Sequence, residues 1–60
     1  MTLKEYLEKN DIKPAVFADS IDKSRQAVWY WLNGDKYPSR DSMKAIKEAT
    51  GGQVDFIDWF

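Results

Sequence analysis

The chain has 60 residues, nine Lys or Arg against ten Asp or Glu, and neither Cys nor His. That length holds one domain, buries only about 60% of its unfolded surface and leaves little room for a deep pocket. Without Cys or His there is no disulfide framework, thiolate metal site or histidine base, which argues against an enzyme, a metal or a cofactor. The formal charge of −1 runs against nucleic-acid binding, where phosphate contacts to Lys and Arg supply much of the affinity, although the distribution of charge can override its sum.

Met1 leads directly into a charged amphipathic segment, so no signal peptide is expected. In "TLKEYLEKND" Thr2 stands as an N-cap with Glu5 three residues on, the pattern of a capping box. Leu3, Tyr6 and Leu7 then share one apolar face, and Asn10-Asp11 ends the helix. Pro14 suits the first turn of a second helix, where its missing N–H costs nothing. Phe17, Ala18 and Ile21 follow at helical spacing, giving a helix over about 14–21. Asp22-Lys23 is a break. Ser24 is the expected N-cap of a third helix and Asn33-Gly34 its stop. Ala27–Leu32 is the longest apolar run and is far short of a membrane span. "DKYPS" is a loop in which Ser39 caps a fourth helix. There Met43, Ile46 and Ala49 face inward, and Gly51-Gly52 is the stop. In the tail "QVDFIDWF" Asp55 caps one last helical turn. A terminal strand is the alternative, since Val, Phe, Ile and Trp are good strand formers, but no other segment offers a partner strand.

The third helix carries the main question, because "SRQAVWYWLNG" holds three consecutive aromatics, Trp29, Tyr30 and Trp31. On a wheel of about 100° per residue, Val28, Trp31 and Leu32 cluster as the core face, with Ala27 at its flank. Gln26, Tyr30 and Asn33 lie opposite, with Arg25 and Trp29 on the shoulder of the exposed face. Trp31 is then the structural tryptophan. Trp29 and Tyr30 form an exposed aromatic patch beside the polar start of the helix. A short second helix, a turn of about three to four residues and a third helix with a polar start make a helix-turn-helix over about 14–33. In that motif the second helix of the pair enters the major groove. Its N-terminus offers partial positive charge and free N–H groups to phosphate.

Residues 2–52 resemble the small Cro/CI-type helix-turn-helix family of phage and prophage repressors, the Cro-like YdaS-type proteins in particular. The carriers are Ala18 where the second and third helices cross, "SRQAV" opening the recognition helix, "WLNG" closing it and "AIKEATGG" ending the fourth helix. Together, in order and at these spacings, they are specific where each alone is weak. Four positions depart from the family pattern. Asp22 stands where Gly is usual, Lys23 where an apolar residue is common, and Trp29 and Tyr30 where polar groove-facing residues are common.

The resemblance implies an all-α, four- to five-helix lambda-repressor-like domain that binds double-stranded DNA as a transcriptional regulator. The setting it implies is the cytoplasm of a bacterial or phage-infected cell. Arg25, Gln26, Trp29 and Tyr30 are the expected base contacts, Arg being suited to guanine and Gln to adenine. Lys23, Ser24, Asn33, Lys36 and Arg40 are the expected backbone contacts. Operators with two half-sites call for a homodimer, and Trp59 and Phe60 are candidate dimer contacts unless one of them folds back over the core. Glu5, Glu8, Glu48, Asp55 and Asp58 lie away from the proposed face, whereas Asp22, Asp35 and Asp41 lie close to it. The runner-up is a protein-interaction module on the same scaffold, binding and inhibiting another regulator through Trp29 and Tyr30. The acidic balance and those two aromatics favour it.

Overall fold

A computed structural model describes every residue from Met1 to Phe60. Four α-helices follow one another without a strand: α1 over Leu3–Lys9, α2 over Pro14–Ser20, α3 over Arg25–Asn33 and α4 over Arg40–Ala49. A single 3-10 turn over Phe56–Trp59 follows. No helix is long and apolar enough to cross a membrane.

Local chemistry sets where each helix begins. The first N–H groups of a helix lack intrahelical acceptors, so a side-chain oxygen at the N-cap is worth about 1 kcal/mol. Thr2 and Glu5 close the expected box: Thr2 Oγ1 accepts the Glu5 N–H at 3.2 Å and Glu5 Oε1 accepts the Thr2 N–H at 2.9 Å. Ser24 Oγ accepts the Ala27 N–H at 3.1 Å, and Ser39 Oγ accepts the Ser42 N–H at 3.3 Å. Asp55 and Asp58 form a second box at the 3-10 turn. Pro14 opens α2 with no side-chain cap, having no N–H to satisfy there.

The two boxes give the fold an acid limit. The Thr2 N–H holds the Glu5 carboxyl below its ordinary range, and the Asp55 N–H does the same for Asp58. A carboxyl depressed by folding stabilises the fold fully above its unfolded pKa, about 4, and that contribution is lost as pH falls through the folded value. The melting temperature should therefore fall between about pH 5 and pH 3. Glu5→Gln combined with Asp58→Asn should start lower at neutral pH and vary less with acid. A double variant whose melting temperature drops as steeply as that of the parent chain would show that other carboxyls set the limit.

Leu3 and Leu7 of α1, Phe17 and Ala18 of α2, Val28 of α3, Ile46 of α4 and Val54 of the tail form one buried cluster. Tyr6, Ile12, Ile21, Trp31, Leu32 and Trp59 close over it as half-buried residues. Ala18 has no exposed surface, and its single methyl lets α2 and α3 approach closely; theirs is the most extensive contact between helices.

Two expectations need correction. Val28 is the one fully buried residue of α3, while Trp31 and Leu32 are half-buried. Trp31 reaches past the cluster and meets Trp59 edge-on, ring centroids 6.4 Å apart at 75°. Ala49 is exposed, and Thr50 takes the inward place. Thr50 lies about 20° from the direction of Met43 on the wheel, Ala49 about 120° away. The tail is helical, as favoured, but as a 3-10 turn. Thr50 Oγ1 donates to the Ile46 carbonyl at 2.8 Å and accepts the buried Val54 N–H at 3.1 Å, which ties the tail to the end of α4.

Candidate functional site

The surface of interest is the outer face of α3, and the chain between α2 and α3 positions it. The Lys23 N–H reaches back to the Ala18 carbonyl at 3.0 Å, and Asp22 adopts a left-handed φ of +58°. Asp bears that conformation at less cost than most side chains, so the turn forms without a glycine. The chain reverses within Ile21–Ser24, and α3 starts with Ser24 as cap and Arg25 as its first residue. Lys23, Ser24, Arg25 and Gln26 are all exposed.

One turn later the expected picture changes. Tyr30 is half-buried rather than fully outward. Gln26 Nε2 donates to Tyr30 Oη at 3.0 Å, and Lys36 Nζ lies 4.6 Å from the centroid of the Tyr30 ring. The helix end brings Lys36 there. Gly34 takes a left-handed φ of +80°, and the Tyr30 carbonyl accepts the N–H groups of Gly34 and of Asp35, the latter at 3.0 Å. The chain thus turns back across its own last turn. Ser24, Gln26, Ala27, Tyr30, Trp31, Lys36 and Tyr37 together line a shallow hollow.

Trp29 points elsewhere. It is 55% exposed and lies, with Asn33, in a separate hollow against Leu7, Ile12 and Pro14. That hollow shares no residue with the one lined by Tyr30. The expected single aromatic patch is therefore two surfaces. Successive helical residues diverge by about 100°, and the two rings turn to different flanks of α3.

The remaining expected residues are spread out. Lys36 joins the Tyr30 cluster. Arg40 opens α4 in a third hollow, with Pro38, Met43, Lys44, Phe56 and Phe60, which no residue of α3 lines. Trp59 is half-buried against Trp31 and so serves the core, with its indole N–H left unpartnered. Phe60 is 88% exposed, its ring 6.3 Å from that of Tyr37. Ion pairs form only at Met1–Asp58, through the Met1 ammonium, and Lys47–Asp55, at 3.3 and 3.4 Å. Lys23, Arg25, Lys36 and Arg40 are left without carboxylate partners. Asp22 and Asp35 are exposed nearby. Tyr37 escaped the sequence reading: 68% exposed, it lines the same hollow as Tyr30. An aromatic inside the polar loop "DKYPS" was the available signal.

No group of His, Cys, Asp or Glu side chains is arranged to hold a metal ion. Comparison with protein-family models, with curated proteins and with solved structures finds no match to this chain.

Proposed function

We propose that this chain is a sequence-specific DNA-binding transcriptional regulator of the Cro-like phage and prophage kind, reading the major groove of double-stranded DNA with α3. On this reading α2, the left-handed turn at Asp22 and α3 are a helix-turn-helix within a lambda-repressor-like domain. The observation that carries it is the exposed polar start of α3, with Lys23, Ser24, Arg25 and Gln26 together, the two cations free of ion pairs and no acid within α3 itself. A helix N-terminus with free cations beside it attracts phosphate, and its first side chains reach base edges. Arg25 and Gln26 read bases, Lys23 and Ser24 hold the backbone, and Lys36 and Asn33 sit at the far end of the helix. The protein acts as a homodimer on DNA, with exposed Phe60 as the available dimer contact.

Salt tests this reading. Binding to a selected duplex should weaken with a log–log slope of about −3 per protomer, one unit for each of roughly three neutralised phosphates. Lys23→Ala should flatten that slope by about one and weaken cognate and unrelated duplexes alike. Arg25→Ala should relax preference at one base pair, costing about 1–3 kcal/mol. If Arg25→Ala lowers binding to every duplex equally, Arg25 holds phosphate and reads no base.

A second reading, a protein-interaction module that inhibits another regulator, is favoured by the net charge of −1 and by the 55% exposed ring of Trp29. Aromatic anchors in such a contact depend little on salt. Binding that persists unchanged at high salt and is lost on Trp29→Ser selects that reading.

A further inference from the structure

The contact between Gln26 and Tyr30 has a consequence for which base Gln26 reads. We infer that Tyr30 is a positioning residue that commits Gln26 to adenine over guanine, an inference that rests on the DNA-binding reading of α3.

Gln26 has few hydrogens to give. A glutamine amide has two N–H donors on Nε2 and one acceptor oxygen. Gln26 Nε2 gives one hydrogen to Tyr30 Oη at 3.0 Å, which leaves one N–H and the free Oε1. In the major groove adenine presents the N7 acceptor and the N6 amino donor. The remaining Gln26 N–H donates to N7, and Oε1 accepts from N6, so the braced amide still makes both bonds. Guanine presents two acceptors, N7 and O6. An unbraced amide could turn both Nε2 hydrogens toward guanine, but the braced one has a single hydrogen to give and an oxygen facing another oxygen. The bond to Tyr30 thus costs nothing with adenine and removes the best arrangement with guanine.

Two further features keep the brace in place. Lys36 Nζ sits 4.6 Å from the Tyr30 ring centroid, and an ammonium over a tyrosine face is attracted by the ring's negative potential. The left-handed Gly34 and the Tyr30 carbonyl fix the turn that carries Lys36 there. Tyr30 is also half-buried, which limits its ring to few orientations. This gives the tyrosine a use at a groove-facing position without its touching a base, whereas Trp29 lines a separate hollow.

The test begins with selection of a duplex for the parent chain from a random library. Gln26→Ala then identifies the base pair that Gln26 reads, as the one whose preference drops roughly tenfold. At that pair, Tyr30→Phe, which removes only the hydroxyl, should lower the adenine-to-guanine ratio about threefold to tenfold, mostly by gaining affinity for guanine. Tyr30→Leu should do the same, whereas a purely structural role would weaken both duplexes equally. In the free protein, Tyr30→Phe should also shift the Gln26 side-chain amide resonances in NMR spectra. An unchanged adenine-to-guanine ratio in Tyr30→Phe overturns the inference and leaves the DNA reading standing. So does an unchanged Gln26 amide. Failure of the parent chain to bind any duplex overturns both.

Discussion

Phe17→Ala should leave little folded protein at 25 °C. Phe17 is 3% exposed, belongs to the single buried cluster and meets the Tyr6 ring edge-on at 6.4 Å. Truncating such a residue costs about 3–5 kcal/mol, from lost transfer energy and the cavity left behind. The whole stability of a chain this short is on the order of 3–9 kcal/mol, taking about 0.05–0.15 kcal/mol per residue. One substitution can therefore remove most of it. Trp29→Ala is the control: a larger side chain, but 55% exposed and outside the cluster, so its loss should cost about 1 kcal/mol or less. Urea denaturation followed by far-ultraviolet circular dichroism separates the two. Comparable losses would mean that the Trp29 ring is part of the stabilising core, and the assignment of the two flanks of α3 would fail with it.

The helix starts were legible because capping is local. Thr2 with Glu5, Ser24, Ser39 and Asp55 each act on N–H groups at most three residues ahead, so the sequence window contains the whole interaction. The facing of Val28 was legible for a similar reason, since periodicity places a residue on its own helix. What the wheel could not give is how far a neighbour covers that face. Trp31 owes part of its cover to Trp59, and that contact depends on where a tail 28 residues away docks. Ala49 and Thr50 were exchanged although the wheel itself separates them, Thr50 lying about 20° and Ala49 about 120° from the direction of Met43; Thr50 also offers the hydroxyl to which the tail is tied.

On the candidate site, the exposure of Lys23, Ser24, Arg25 and Gln26 followed from pattern alone, since a polar helix start opposite a core face has nowhere else to go. The environment of Tyr30 did not. Its cover comes from Lys36, six residues on, and the chain returns there only because Gly34 is left-handed. The divergence of Trp29 from Tyr30 was implicit in the helical twist. Treating them as one patch ignored the turn of about 100° between neighbours, which here leads the two rings into separate hollows.

Thr50→Val should detach the tail while leaving the four helices in place. The substitution keeps volume and branching, so packing changes little, but it removes the oxygen that accepts the Val54 N–H at 3.1 Å. Val54 is fully buried, and its N–H then has no partner inside the protein. An orphaned buried donor costs about 1–3 kcal/mol, far more than the net worth of an ordinary hydrogen bond. The lost bond from the hydroxyl to the Ile46 carbonyl at 2.8 Å matters less, because that carbonyl also accepts the Thr50 N–H at 3.0 Å. Thr50→Ser is the complementary variant. It keeps the hydroxyl and loses one methyl, so it should cost only about 1 kcal/mol and keep the tail docked. Amide hydrogen exchange reads the difference locally: Val54 should be protected in the parent chain and in Thr50→Ser, and exchange much faster in Thr50→Val, with the amides of α1 to α3 still protected. If Val54 stays protected in Thr50→Val, apolar contacts such as Trp59 on Trp31 hold the tail by themselves, and the hydroxyl is not the tie.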